Sequence, residues 1–465
     1  MSRRLVLGSL RELGTVGLVA ALCGCYAAVL VTVSDTLATV GRQQGGGGFA
    51  AMLVAVATVF VLIALYVSAV VIVNCVDTVI TGRLRQIALL RLLGARARSL
   101  RASVVRGTGL VGLGGAVAGT VVGTSTADVV RAVLVARGTL PRFDYPVASG
   151  WLLAPVLLIS LTALAAGRVG SRTVLRGSPV RAMSGAVIPP APARRTSTVR
   201  AVLVLLLLAG GAAVLALAMW LGEHGSAAGF LFAFLGAAAS GTGLLVGARS
   251  VIPRVVSSAS RVLGSGPATR VARRNAVNDP LRTTRSTMGL VIGVTLVTTF
   301  ASGMRALQVS VGSWTDLSAA QRQQAEAVLS MATSVLIAVV VISSVISAVG
   351  FVSTMSLTVI QRQREIGLLR ALGFTRQQVR RMITKESAAL SGTAVVLGMA
   401  LGVLYGSVGA QSLIGVLTDG FAWGLPWPVL AAIGAAGVAL VLVAARQPAR
   451  RAVRVTPIEA LRVTT

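Results

Sequence analysis

One lysine, one histidine, three cysteines and 13 acidic side chains in 465 residues leave little material for a catalytic centre. The lysine, Lys385, sits in Ile383-Thr384-Lys385-Glu386. It lacks the preceding glycines of Gly-x-x-x-x-Gly-Lys-Ser/Thr, the loop in which a lysine reaches bound phosphates. The histidine, His224, has Glu223 beside it, and one such pair makes neither a metal site nor a triad. The cysteines Cys23, Cys25 and Cys75 all lie in apolar stretches, where a small, soft side chain packs more readily than it finds a disulfide partner. Catalysis within the chain is not expected, and any chemical energy must be borrowed.

Charge is scarce too. Charged residues make up 12% of the chain against 55% hydrophobic, whereas a soluble domain carries about 25% charged residues. With a mean hydropathy of +0.85, the chain cannot cover a surface with polar groups and reads as an all-α integral membrane protein. The 52 glycines fit that class, because small residues let transmembrane helices approach closely. Leu22-Cys23-Gly24-Cys25 then reads as a small-residue patch in the first span rather than a lipoprotein processing site. A net charge of +30 in a soluble protein would point to nucleic acid. Here the arginines lie between apolar runs and act as topology signals instead, so no nucleic acid is expected as a partner.

A spanning helix needs about 20 apolar residues. About ten such runs are found, near 14–38, 50–76, 107–130, 151–167, 200–221, 227–248, 287–305, 327–354, 387–413 and 428–445. Of the 43 basic residues, 37 fall in alternate connecting segments assigned to one side and six in those assigned to the other. That bias places the basic segments and both termini on the cytoplasmic side of a multi-pass protein, with the lipid bilayer as its surroundings. One lysine among the 43 basic residues, beside abundant Ala, Val, Gly and Arg, suggests a GC-rich bacterial genome and hence the bacterial plasma membrane. The outside loops are short, and Gly45 to Gly48 forms a flexible turn in the first. The linker 169–199, with Pro179, Pro189, Pro190 and Pro192, reads as irregular. The basic stretch from Ala272 to Arg285 is expected to form an interfacial helix. Asp35, Asn74 and Asp77 lie near helix ends, where snorkelling accounts for them. The later spans carry no carboxylate series of the kind a proton relay needs, which weighs against an ion-driven carrier.

The chain also repeats itself. Gln86-Ile87-Ala88-Leu89-Leu90-Arg91-Leu92-Leu93-Gly94 returns in the second half as Glu365-Ile366-Gly367-Leu368-Leu369-Arg370-Ala371-Leu372-Gly373. Ser178-Pro179-Val180-Arg181-Ala182-Met183 returns as Thr456-Pro457-Ile458-Glu459-Ala460-Leu461, in the same register to within a single position. Two matches in one register indicate a duplicated unit. The predicted domains are a first four-helix unit over 1–185, a linker and central helix pair over 186–265, and a second four-helix unit over 266–465. An even number of spans gives both copies the same orientation, so the repeats are parallel and related by an axis along the membrane normal.

In the second copy Ile366, Leu369 and Leu372 recur at helical spacing with arginines on the complementary positions. Gly373 permits a turn, and Arg376 to Lys385 begin a second basic helical piece with Val379 and Ile383 apolar. Such a basic amphipathic hairpin suits either the lipid headgroup layer or a groove on a partner. Arg364, Glu365, Ile366, Gly367, Leu368, Leu369, Arg370, Ala371, Leu372 and Gly373, followed by Pro457, Glu459, Ala460, Leu461 and Arg462, resemble the permeases of the FtsX/MacB superfamily of ABC transporters. Arg273-Arg274-Asn275, ahead of the seventh span, resembles that family's start.

The resemblance implies a contact, in each unit, between the segment joining the second and third helices and a separate ATPase subunit. The residues it marks for ATPase coupling are Arg85, Gln86, Leu90, Arg91 and Gly94 in the first copy, and Arg364, Glu365, Leu369, Arg370 and Gly373 in the second. The first copy departs from the pattern: Gln86 replaces the acid, and Gly82 and Leu84 replace polar residues. Glu365 also has a purely local reading as a pair with Arg362, worth a few tenths of a kcal/mol. The implied function is the membrane subunit of an ABC transporter that couples ATP hydrolysis by two copies of a partner ATPase to export or extraction of a lipophilic or peptide-like substrate. The chain itself would hold no cofactor, ATP being bound by the partner. A second expectation is a non-transporting subunit that relays the state of the ATPase to extracellular cell-wall enzymes. The short outside loops offer such enzymes little surface.

Overall fold

The computed structural model describes residues 10–44, 47–82, 89, 96–138, 140–141, 143–145, 150–176, 198–226, 228–262, 280–312, 372–417, 420–421 and 423–439. Its regular elements are helices: α1 (Leu10–Gln44), α2 (Gly47–Gly82), α3 (Ala97–Ala136), α4 (Leu153–Arg176), α5 (Thr198–Glu223), α6 (Ala228–Val262), α7 (Pro280–Gly312) and α8 (Arg376–Ile414). A shorter helix, α9 (Trp427–Ala439), follows. In lipid each backbone N–H and C=O must be satisfied within the protein, and a helix does this by itself. Seven of these helices are long and apolar enough to cross a membrane, and α2 carries the apolar stretch Val61–Asp77. Nine of the ten predicted spans therefore fall on helices, and the tenth, 327–354, lies outside the described residues. The chain is an all-α, multi-pass membrane protein.

Helix ends depart from the sequence reading in one consistent way. The basic pieces expected as separate elements are continuous with the spans: Arg98, Arg101 and Arg106 lie in the first turns of α3, and Arg376, Arg380, Arg381 and Lys385 in those of α8. Likewise α4 continues to Arg176, α6 runs through Pro253 to Val262, and Pro280 to Arg285 open α7. Arginine is a good helix former, so these stretches go on as helix on leaving the apolar layer, and α6 does so despite Pro253, which lacks the N–H for one backbone hydrogen bond. At 40 and 39 residues, α3 and α8 are each about 60 Å long at 1.5 Å per residue. The hydrocarbon core is about 30 Å thick. Both helices project well beyond it.

Packing repeats across the chain. The closest pairings are α1 with α3 and α7 with α8, in each case through a stripe of small residues spaced four apart. On α3 the stripe is Gly115, Gly119, Gly123; on α8 it is Gly398, Gly402, Gly406. A methyl group at Gly119 would collide with the Ala21 carbonyl, and one at Gly402 would lie 2.8 Å from the Thr295 carbonyl. Gly119 and Gly123 stand to Gly398 and Gly402 in the same register as Gln86 to Glu365, so the duplicated sequence preserves the duplicated contact. Beside the first pair, Val16, Cys23, Ile72, Val76, Ile159 and Ala163 form a buried cluster from α1, α2 and α4.

The two halves meet where Tyr26, Ala27 and Leu30 of α1 pack with Leu296, Phe300 and Met304 of α7. The central hairpin α5–α6 docks mainly on α8, where Ile252 and Val256 of α6 join Leu390 and Ala394. Hydroxyl groups tie α6 to both halves. Tyr66 of α2 donates to the Ala238 carbonyl at 3.2 Å and lies 3.1 Å from Thr242 Oγ1, while Ser240 Oγ and Tyr405 Oη of α8 are 2.8 Å apart.

These contacts predict that Gly119→Leu or Gly402→Leu costs about 1–3 kcal/mol by overpacking, read as a lowered midpoint of thermal unfolding in detergent. Gly114→Leu is the control: Gly114 is exposed and a methyl group there meets nothing within 4 Å, so the midpoint should stay in place.

Candidate functional site

Among the residues marked for ATPase coupling, Gly373 lies in the described structure. Arg85, Gln86, Leu90, Arg91, Gly94, Arg364, Glu365, Leu369 and Arg370 lie outside the described residues. Gly373 has φ +95°, a left-handed conformation that side chains resist. A methyl group there would meet nothing within 4 Å, so the demand for glycine is conformational and not spatial. Leu372 beside it is exposed, and the chain turns directly into the start of α8.

That start is capped on both sides. The Gln378 N–H donates to Thr375 Oγ1 at 3.2 Å, and the Thr375 N–H donates to Gln378 Oε1 at 2.8 Å. This reciprocal pair, a capping box, satisfies two backbone donors that a helix end otherwise leaves open. Past the cap, Val379, Met382, Ile383 and Glu386 are buried, while Arg376, Arg380 and Arg381 are exposed. One face of the projecting end packs inward and the other presents guanidinium groups. Positive charge opposes the dipole at a helix N-terminus, so these guanidinium groups gain nothing from the helix itself.

The same end of α3 is built differently. Thr375 and Gln378 correspond, in the register of the repeat, to Arg96 and Ser99. Arg96 is the N-cap with extended backbone and no side-chain cap, and Ser99 Oγ instead donates back to the Arg96 carbonyl at 2.8 Å. Leu100 is buried where Val379 is, and Arg101 matches Arg380. The amphipathic pattern is kept and the cap is lost.

At their opposite ends both helices are tied to the loop that follows. In the first half Asp128 and Arg131 form an ion pair at 2.8 Å, and the Arg131 guanidinium lies 5.4 Å from the centre of the Tyr145 ring. Tyr145 in turn leans on Phe143, with ring centres 6.2 Å apart. In the second half Ser407 stands at the place of Asp128 and accepts from the Gly424 N–H at 3.1 Å, while Ser302 of α7 donates to the Gly424 carbonyl. Phe421 and Trp423, the repeat counterparts of Phe143 and Tyr145, pack edge to face at 4.9 Å. The sequence reading missed these pairs, although Phe-x-aromatic in the register of the repeat and Thr-x-x-Gln before α8 were both visible signals.

Comparison with known families decides what the duplicated unit is. The FtsX-like permease C-terminal family matches residues 58–179 and again residues 337–457. The second match starts in the register of the repeated sequence, and the two together cover just over half of the chain. The chain belongs to the FtsX-like permease family. Its relatives include an uncharacterized ABC transporter permease of Methanocaldococcus jannaschii, 28% identical over 29% of this chain and 34% of that protein. The macrolide export ATP-binding/permease protein MacB of Nitrobacter winogradskyi is 34% identical over 31% of this chain and 21% of that protein. The ABC transporter permease YtrF of Bacillus subtilis is 30% identical over 26% of this chain and 30% of that protein. Each match thus spans about a third or less of the relative's own length. In this FtsX-like permease, the family matches take in the first turns of both α3 and α8.

The difference in capping gives a direct test. Thr375→Ala should destabilise the start of α8 by about 1 kcal/mol and speed amide exchange over 376–384 several-fold. Arg96→Ala has no side-chain cap to lose and should leave exchange at the start of α3 unchanged.

Proposed function

We propose that the chain supplies both permease units of an ABC transporter, coupling ATP hydrolysis by a separate ATPase subunit to export or extraction of a lipophilic or peptide-like substrate. The observation that carries this reading is the doubled family match, each copy of which contains a helix that projects beyond the apolar layer on a basic face. On this reading the units are 1–185 and 266–465, joined through a linker and helix pair at 186–265. One ATPase docks under each. Relatives named for macrolide and pyoverdine export support a transport role over a purely signalling one.

The coupling residues would be Arg85, Gln86, Leu90, Arg91 and Gly94 beneath the first unit, and Arg364, Glu365, Leu369, Arg370 and Gly373 beneath the second. Force applied there enters α3 and α8 at their first turns. Each helix is continuous from that point across the apolar layer, so displacement at the basic end is carried to the far loop without an intervening hinge. The distribution of charge supports a cytoplasmic basic face: arginines lie at the starts of α3, α5, α7 and α8 and the ends of α4 and α6, with Arg42, Arg131, Arg137 and Arg305 as exceptions among the described residues. The termini then lie in the cytoplasm of a bacterial plasma membrane protein, with the bilayer around its exposed apolar faces. ATP is bound by the partner.

In vesicles containing the permease and its ATPase, Glu365→Arg or Gly373→Pro should abolish stimulation of ATP hydrolysis while the variant still inserts and extracts like the parent. Full stimulation by both variants would remove the hairpin from the coupling path. Because Gln86 lacks the charge, Gln86→Ala should lower stimulation less than Glu365→Ala does.

A further inference from the structure

Of the five tryptophans, Trp151, Trp220, Trp314, Trp423 and Trp427, the four in the described residues share one end of the molecule. Trp151 precedes α4, whose arginines are at its far end; Trp220 lies in the last turn of α5, which has Arg200 in its first turn; Trp423 and Trp427 follow α8, whose basic turns are at its start. Trp314 lies outside the described residues, two positions beyond the end of α7. The other four are 54% to 70% exposed. Tryptophan favours the boundary between acyl chains and headgroups, where its ring is buried and its N–H stays wet, and usually marks both faces of a membrane. Here it marks the face opposite the crowded arginines.

Within this set, the loop 423–427 is unlike its counterpart in the first half. The counterpart is charged, with Asp128, Arg131, Arg137, Arg142 and Asp144 around it, whereas the sequence from Ser387 to Ala445 holds one charged residue, Asp419. The loop is also held firmly. Gly424 is buried between α7 and α8, its N–H on Ser407 and its carbonyl on Ser302, and a methyl group on it would strike the Ser302 carbonyl. Residues on either side point outward: Trp423 and Leu425 are exposed while Gly424 and Pro426 are buried. Trp427 then heads an exposed apolar stripe with Ala431, Ala435 and Val438 along α9, a surface that the bilayer covers in a membrane protein.

We propose that loop 423–427 is a lipid anchor, holding Trp423 and Trp427 in the headgroup–acyl boundary of the leaflet opposite the arginines. A protein partner would need polar and charged groups at the rim of its contact, which this loop lacks. A zwitterionic lipid interface needs none. Continuity with the apolar stripe of α9 fixes the depth, since the ring of Trp427 sits where that stripe begins. The inference rests on membrane insertion alone and needs no ATPase.

The test uses the full chain in phosphatidylcholine vesicles, with tryptophans replaced by phenylalanine to leave Trp423, Trp427 or Trp220 alone. Trp220, at the end of a spanning helix, reports insertion. Lipids brominated near the headgroup end of the acyl chain should quench Trp423 and Trp427 by roughly twofold or more, and lipids brominated near the methyl end much less. Aqueous acrylamide should reach both poorly. A second measurement asks whether the clasp sets this position: Ser407→Ala with Ser302→Ala should raise acrylamide quenching of Trp423 and leave Trp220 as it was. Free access of acrylamide to Trp423 and Trp427, with Trp220 still quenched by lipid, would overturn the proposal and give the loop to a water-side partner instead.

Discussion

Close approach of helix backbones, made possible by glycine, is the constraint on which the rest of this structure depends. Within a bilayer, lipid tails compete for apolar side chains on equal terms, so association must come from tight van der Waals contact and from hydrogen bonds. The stripe of Gly115, Gly119 and Gly123 against α1, and that of Gly398, Gly402 and Gly406 against α7, supply the first. They hold α3 and α8 along a line, and that line is what lets so long a helix keep its direction on leaving the hydrocarbon layer. Everything placed at the two ends, the basic turns on one side and the tied loops on the other, is positioned by that contact.

Much of this was legible in the sequence, for reasons specific to membranes. Nine of the ten spans fall on helices because apolar length is a strong signal in lipid, and the family was readable from Arg364 to Gly373 together with Pro457 and Glu459 to Arg462. Helix ends were not. The rule that finds a span measures where apolar residues stop, and α3 and α8 go on as helices through Arg98 and Arg376 regardless. Gly373 was marked for a turn and takes one, while the cap two residues later, Thr375 with Gln378, passed unread although its spacing is diagnostic. The hydroxyl ties between Tyr66, Thr242, Ser240 and Tyr405 could not be read at all. They join positions far apart in the chain, on different helices, and no periodicity marks them.

The two halves share the close helix pair, α1 with α3 and α7 with α8, their glycine register and the Phe-x-aromatic pair, yet differ at both ends of the projecting helix. One begins with a capping box and the other with an uncapped arginine. One finishes in an ion pair and a guanidinium over a ring, the other in serine hydroxyls around a buried glycine. Packing inside the membrane has been kept while both aqueous borders have drifted, as expected when the interior tolerates few volumes and the borders many.

The hairpin α5–α6 bears on how such drift arises. A two-fold pair made from separate copies must be self-complementary, so each change at the contact appears twice and must suit itself. Here both copies belong to one polypeptide, and Tyr66 and Tyr405 each find a different hydroxyl on α6. Neither half has to mirror the other. An ancestral symmetry that would have forbidden one-sided experiments is thereby relaxed, and each half is free to specialise while its twin preserves the original arrangement.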